Sequence, residues 1–309
     1  MFATKMSFEI LIIIIVGIFI GKMKLVKDDF ADQLSSVVVN ICMPCLIVDS
    51  MCISFSTETL KSSAWLIILS SVEILIGFLI GHVKYIIGGK TIKGKIERYG
   101  LMFGNISFIG LPIIESFKSE ILLFYYSIVM IPIRIAGFTL PGYLLSANNE
   151  EQKKKKIKDF FSPAICALIL GIIMYLTGFR FPVIIADVIT MIRNLTSCLG
   201  LLICGIVLSK FNLKSLISVK YLSFTLIRTI IQPALFLLLA VTTLSDVELI
   251  RILVICGACP CASLTVPFTL KYNPNDINAK ETAGACVFLS TLVSVFTIPL
   301  WLHILDLLL

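Results

Sequence analysis

Two strings in this chain combine helix breakers with small polar side chains. Gly104 to Pro112 reads GNISFIGLP, and Gly257 to Pro267 reads GACPCASLTVP. Proline has no backbone N–H and clashes with the carbonyl four residues earlier, and glycine loosens the backbone beside it. Both strings lie in apolar runs, so the pattern predicts two helices that unwind partway along. A helix that restarts after a break presents unpaired amides and the positive end of a peptide dipole, a setting that suits a carboxylate. Asn105 is the leading candidate contact, because its amide both donates and accepts. Ser107 and Ser263 add hydroxyls, while Pro112, Pro260 and Pro267 shape the interruption. Asn40, in the string NICMP, either faces the same space or packs between helices. The chemistry implied is reversible binding rather than bond-making, and no catalytic residue is expected. The plainer alternatives are a local backbone cap for Asn105 and two packing kinks for the proline pair.

Three charges stand near the middle of apolar runs, where an isolated charge is costly: Glu73, Arg228 and Arg134. Glu73 and Arg228 either pair with each other or line the cavity separately; in the second case Glu73 is a candidate proton-coupling residue. Arg134 either offsets a substrate's negative charge or snorkels to water. Glu115 and Arg251 lie closer to the ends of their runs and read as rim residues. The ten cysteines are mostly embedded in apolar sequence, where a free thiol acts as a small hydrophobe. Cys256, Cys259 and Cys261 form the one cluster to weigh as a metal or redox site. No His or fourth cysteine is near them in sequence, and small packing residues are the other reading. No metal site and no cofactor are expected, and no phosphate-binding G-x-x-x-x-G-K-[ST] string occurs.

The elements that must position these residues are hydrophobic blocks. The chain has 309 residues, 58% of them hydrophobic and 15% charged, with a mean hydropathy of +1.02. That leaves too little polar sequence to wet the surface of a soluble domain, and it predicts an all-α integral membrane protein. Ten spans are expected, near 7–21, 30–54, 62–83, 98–117, 121–146, 162–178, 184–209, 219–243, 247–270 and 280–307. A cleaved signal peptide is not expected, because no small-residue cleavage site follows the first block.

Charge placement sets the expected orientation. Loops after odd-numbered spans carry eighteen basic residues, among them Lys84, Lys90, Lys93 and the run Lys153 to Lys156, against four on the other side: Lys5, Lys61, Lys118 and Arg180. The positive-inside rule puts the first side in the cytoplasm and both termini outside, in a multi-pass plasma-membrane protein. The net charge of +7 is thus a topology signal, and no nucleic-acid partner is expected. A basic loop at 148–161 separates a first five-helix repeat, residues 1–147, from a second, residues 162–309. An offset of 155 residues aligns Pro112 with Pro267, Asn105 with Pro260, and Glu73 with Arg228. Because five is odd, the second repeat enters the membrane inverted, with broken helices 4 and 9 crossing near the midplane.

GNISFIGLP resembles the Gly-Asn-x-x-Phe-x-Gly-x-Pro signature of the auxin efflux carrier family, whose bacterial members include malate and malonate permeases and whose plant members are the PIN exporters. Asn40 to Pro44, the segment Pro260, Ala262 and Ser263 with its Lys271–Tyr272 exit, and FLSTLVSVFTIPLW at Phe288 to Trp301 resemble other family segments in the same order. The resemblance implies a scaffold of helices 1, 2, 6 and 7 and a transport domain of helices 3–5 and 8–10. It further implies a small organic anion as substrate, such as a malate-like dicarboxylate or an auxin-like monocarboxylate, and it fits a homodimer formed through the scaffold. The short central loop departs from plant exporters with a very long one and favours the bacterial branch. The expectation is a secondary transporter, not an enzyme, with lipid and a small anion as partners. Its rivals are a sodium-coupled symporter of the bile-acid type and a membrane redox or metal protein built on Cys256, Cys259 and Cys261.

Overall fold

The computed structural model describes residues 2–27, 29–54, 56–146, 163–209, 218–273 and 275–308. The basic loop expected at 148–161 lies outside them. Among the described residues every regular element is helical and no β-strand occurs. Six helices are long and apolar enough to cross a bilayer: Phe30–Ser50, Thr57–Ile87, Glu120–Thr139, Val183–Ser209, Val219–Thr243 and Ile277–Leu308. Shorter apolar helices cover Leu11–Lys22, Ile106–Ser116 and Pro163–Thr177. The ends are set by local chemistry. Ser56, Ser119 and Asp246 each precede a helix and accept a hydrogen bond from an amide of its first turn, as side-chain N-caps do.

Large apolar side chains cover the outside. Ile184 is 80% exposed and Phe296 73%. Such a surface would be costly in water and is ordinary against lipid, so the protein is a multi-pass membrane protein. Inside, Phe2–Lys22 packs along Leu195–Ser209. The contact is close because Gly17 and Gly205 face each other: a Cβ on Gly17 would stand 2.9 Å from the Gly205 Cα. Small residues bring helix backbones together in this way where hydrophobic driving force between helices is absent. Met43–Ser50 packs on Pro163–Thr177 and Val183–Arg193. Thr57–Ile87 packs on Ile92–Met102 and Glu120–Thr139, and Val247–Ala258 packs on Gln232–Thr243.

Three helices carry a π-helical turn directly before a proline. Val38–Cys42 precedes Pro44, Ile106–Gly110 precedes Pro112, and Ile227–Ile231 precedes Pro233. The wider turn gives the ring room beside the carbonyl four residues back, so the chain bends without ending. That carbonyl then lacks its helical donor. For Pro233 it is Thr229 O, which accepts from the Trp301 indole at 3.0 Å.

Candidate functional site

Two helices are interrupted and their interruptions meet. Ile92–Met102 stops, and helix resumes at Ile106; Val247–Ala258 stops, and helix resumes at Thr265. The linking segments run antiparallel, with one β-bridge between Gly104 and Cys261. Asn105 N donates to Pro260 O at 2.7 Å, and Ala262 N donates to Phe103 O at 3.1 Å. Both bonds and the bridge interchange under a shift of 157 residues, the distance from 104 to 261, so the contact has a local two-fold. The sequence offset of 155 is two smaller because it aligns prolines. Pro112 lies seven residues past Asn105, whereas Pro267 lies five past Ala262.

Arg228 joins the two helix ends that point their carbonyls at the break. Its Nε donates to Cys259 O at 2.9 Å, and its Nη1 donates to Leu101 O at 2.9 Å and to Gln232 Oε1 at 3.0 Å. Gln232 Nε2 donates to Leu101 O as well, at 2.8 Å. The last carbonyls of a helix have no partner within it and form the negative end of its dipole, so a guanidinium here satisfies and neutralises both ends at once. Gly104 permits the arrangement: a Cβ there would run into the Arg228 guanidinium and lie 3.3 Å from Cys259 Cβ. The linking segments are also tied from outside, since Cys261 N donates to Ser290 Oγ at 3.0 Å and the Tyr126 hydroxyl donates to Ile106 O at 2.7 Å.

Asn105 is 4% exposed and occupies the N-cap position of the resumed helix, yet its side chain makes no capping bond. Instead Nδ2 donates to Cys204 Sγ at 3.3 Å, across to the helix Leu195–Ser209. Ser263 is buried on the other linking segment and lines a cavity of about 250 Å³. Asp32, Ser35, Val207, Pro267 and Lys280 line it too, so the cavity lies between Phe30–Ser50, Leu195–Ser209 and the second interrupted helix. Ser107 is half-buried beside Asn105. Pro112 and Pro267 stand inside the resumed helices rather than in the unwound segments, and Pro260 is in the unwound segment.

The other candidates make contacts of different kinds. Asn40 is exposed and donates to Ser36 Oγ at 3.0 Å. Glu73 is 6% exposed, and its Oε1 has no hydrogen-bond partner among the described residues. It forms no hydrogen bond with Arg228, whose donors go to the helix ends. Arg134 lines a different cavity with Ile47, Phe138 and Leu168, and its Nη2 points to Met43 Sδ at 3.5 Å and Met130 Sδ at 3.8 Å. Cys256, Cys259 and Cys261 are buried and free. Cys261 Sγ fills the space over Gly100, and Cys259 Sγ shares that over Gly110 with the Tyr126 hydroxyl. Among the described residues no three His, Cys, Asp or Glu side chains are grouped to hold a metal.

Sequence reasoning missed Gln232, Cys204, Ser290 and Tyr126. A signal existed for Gln232, a polar residue one turn beyond Arg228 in an apolar helix. Nothing in the chain distinguishes Cys204 from its neighbours.

A helical protein with an apolar exterior and paired helix breaks beside an internal cavity has the make-up of a membrane transport protein. This chain belongs to the membrane transport protein family, that of the auxin efflux carriers, and matches it over residues 2–156 and 147–302. It is similar to "Uncharacterized transporter YfdV" of Escherichia coli (strain K12), 22% identical over 308 residues that cover 96% of this chain and 95% of that protein. An "Uncharacterized transporter" of Methanothermobacter thermautotrophicus is 24% identical, covering 97% of each chain. "Uncharacterized transporter MJ1031" of Methanocaldococcus jannaschii is 25% identical, covering 94% of this chain and 95% of that one.

Proposed function

We propose that this protein is a secondary transporter for a small organic anion, working by alternating access around the crossing of its two interrupted helices. In this reading ten helices form two inverted five-helix repeats. Helices 1, 2, 6 and 7 are the scaffold, and helices 3–5 and 8–10 carry the crossing as one transport domain. The protein lies in the plasma membrane with both termini outside.

The observation that carries the reading is the electrostatic asymmetry of the crossing. Arg228 neutralises the two negative helix ends, at Leu101 and Cys259. Among the described residues no side chain caps the two positive ends, at Ile106 and Thr265. At Ile106 the first-turn amides lack partners within the helix, and a carboxylate supplies them. At Thr265 the amides of Thr265, Val266 and Phe268 already donate to Ala262 O, Ser263 O and Leu264 O. Pro267 has none, so that end contributes its dipole alone. Asn105 and Ser263 stand at these ends, and the adjoining cavity carries Lys280 together with Asp32. The local two-fold between the linking segments supports an inverted repeat, as does the offset that aligns Pro112 with Pro267.

The test is a thermal-shift screen of mono- and dicarboxylates on purified protein, followed by flux of any stabilising anion in proteoliposomes. Stabilisation by a carboxylate, and flux that Asn105→Ala lowers at least tenfold, are expected. Stabilisation only by cations, or flux of cations alone, overturns the anion reading.

A further inference from the structure

A second polar cluster lies at the other end of the molecule from the cavity. Asp49 is near the end of Phe30–Ser50. Ala31 and Asp32, which line the cavity, are at its start, about 27 Å away at 1.5 Å per residue. Asp49 accepts from Thr190 Oγ1 at 3.0 Å and pairs with the guanidinium of Arg193. Arg193 Nε lies 3.9 Å from Glu115 Oε1, and the Ser197 hydroxyl donates to Glu115 Oε2. Glu115 is in the last turn of Leu111–Ser116, the outer half of the first interrupted helix.

These contacts fall into two kinds. Asp49, Thr190 and Arg193 belong to helices that pack together, Met43–Ser50 and Val183–Arg193, and are held by close bonds. Glu115 belongs to the interrupted helix and is held by the Ser197 hydroxyl, as closely as Asp49 is held, and by one longer ionic contact. Arg193 Nε has no hydrogen-bond partner of its own among the described residues. The Asp49–Arg193 pair joins two helices that pack together and forms a fixed jaw, and Glu115, carried by the interrupted helix, is the part that leaves it. The Arg193 and Glu115 side chains are only 23% and 22% exposed, so water screens the contact only partly.

We propose that Glu115, Arg193 and Ser197 form a latch that keeps the far end shut while the cavity beside Ser263 is open, and that it parts in each transport cycle. The proposal rests on the alternating-access reading above, but its test does not require a known substrate. Leu264, in the cavity lining, is replaced by cysteine in a background stripped of maleimide-reactive cysteines, and the protein is reconstituted in one orientation. A membrane-impermeant maleimide is then added to either side. With the latch intact, labelling comes from the cavity side. Glu115→Gln weakens the ionic and charge-assisted contacts, and labelling from the Glu115 side rises by about tenfold. Glu115→Cys with Ser197→Cys, oxidised to a disulfide in a Cys198→Ser background, confines labelling to the cavity side until a reductant is added. Glu115→Gln labelling that matches the parent from both sides overturns the latch, as does a cross-linked protein still labelled from the Glu115 side. Flux of carboxylates, measured separately, decides the transport reading.

Discussion

Arg228→Met tests the claim that one guanidinium holds the crossing together. The substitution keeps the apolar bulk and removes the donors to Cys259 O, Leu101 O and Gln232 Oε1. Leu101 O keeps Gln232 Nε2 at 2.8 Å, so the loss falls mainly on Cys259 O and Gln232. A hydrogen bond from a charged group contributes about 1.5–3 kcal/mol, and a stranded buried carbonyl costs about 1–3 kcal/mol. Side-chain bonds measured within membranes run lower, at about 0.6–2 kcal/mol. Roughly 3 kcal/mol of destabilisation is the expected sum for the methionine variant. Arg228→Lys keeps the charge but lacks the fork that reaches both helix ends, and about half that loss is expected. Thermal unfolding of the detergent-solubilised protein reads the effect, as a midpoint lowered by roughly 4–6 °C for methionine. The Glu73→Gln/Arg228→Met double variant adds a cycle: removing the acid recovers part of the loss if the two charges interact through space. A methionine variant that unfolds within about 1 °C of the parent, with unaltered flux, refutes the reasoning, since an unneeded clamp would leave both unchanged.

Three further outcomes are expected. Gly205→Leu forces Phe2–Lys22 away from Leu195–Ser209 and costs about 1–3 kcal/mol or more, read as a lowered unfolding midpoint; an unshifted midpoint counts against the glycine contact. Asn105→Ala removes only the bond to Cys204 and lowers stability by no more than about 1 kcal/mol, yet lowers anion flux at least tenfold; flux that persists removes Asn105 from the binding site. Glu73→Gln flattens the pH profile of flux if Glu73 carries the coupled proton, and an unchanged profile assigns the residue to structure alone.

How far the sequence speaks depends on whether the signal is local. The breaks at 104–112 and 257–267 were legible because glycine and proline act on the backbone beside them. Even so, the position of each break within its string was not. Proline was expected to mark the unwound point, but Pro112 and Pro267 both sit inside the resumed helices. Pro267 is in the first turn, where the missing N–H is needed least, and Pro112 follows a π-helical turn that makes room for its ring. The charge at Arg228 was visible as an anomaly in an apolar run. Its use was not, because the carbonyls it serves are 31 and 127 residues away along the chain. The same holds for Asn105: its side chain was expected at a helix restart and is there, but its partner Cys204 is named only by the packing of a separate helix. Arg134 shows the reverse case. A mid-run arginine suggested either a countercharge to substrate or snorkelling to water, and neither reading foretold the two thioethers and the separate cavity that packing sets beside it.

The antiparallel seam at Gly104 and Cys261 also has a consequence for biosynthesis. The carbonyl that Asn105 N needs belongs to Pro260, which leaves the ribosome about 10–30 s later at ordinary elongation rates. Until then the first interrupted segment has bare peptide groups and no mate, a state that hydrocarbon does not tolerate. The nascent amino-terminal portion must therefore wait in a protected or partly inserted condition. Translated by itself it would be a substrate for quality-control proteases, and supplying the two portions as separate polypeptides in one cell would rescue both.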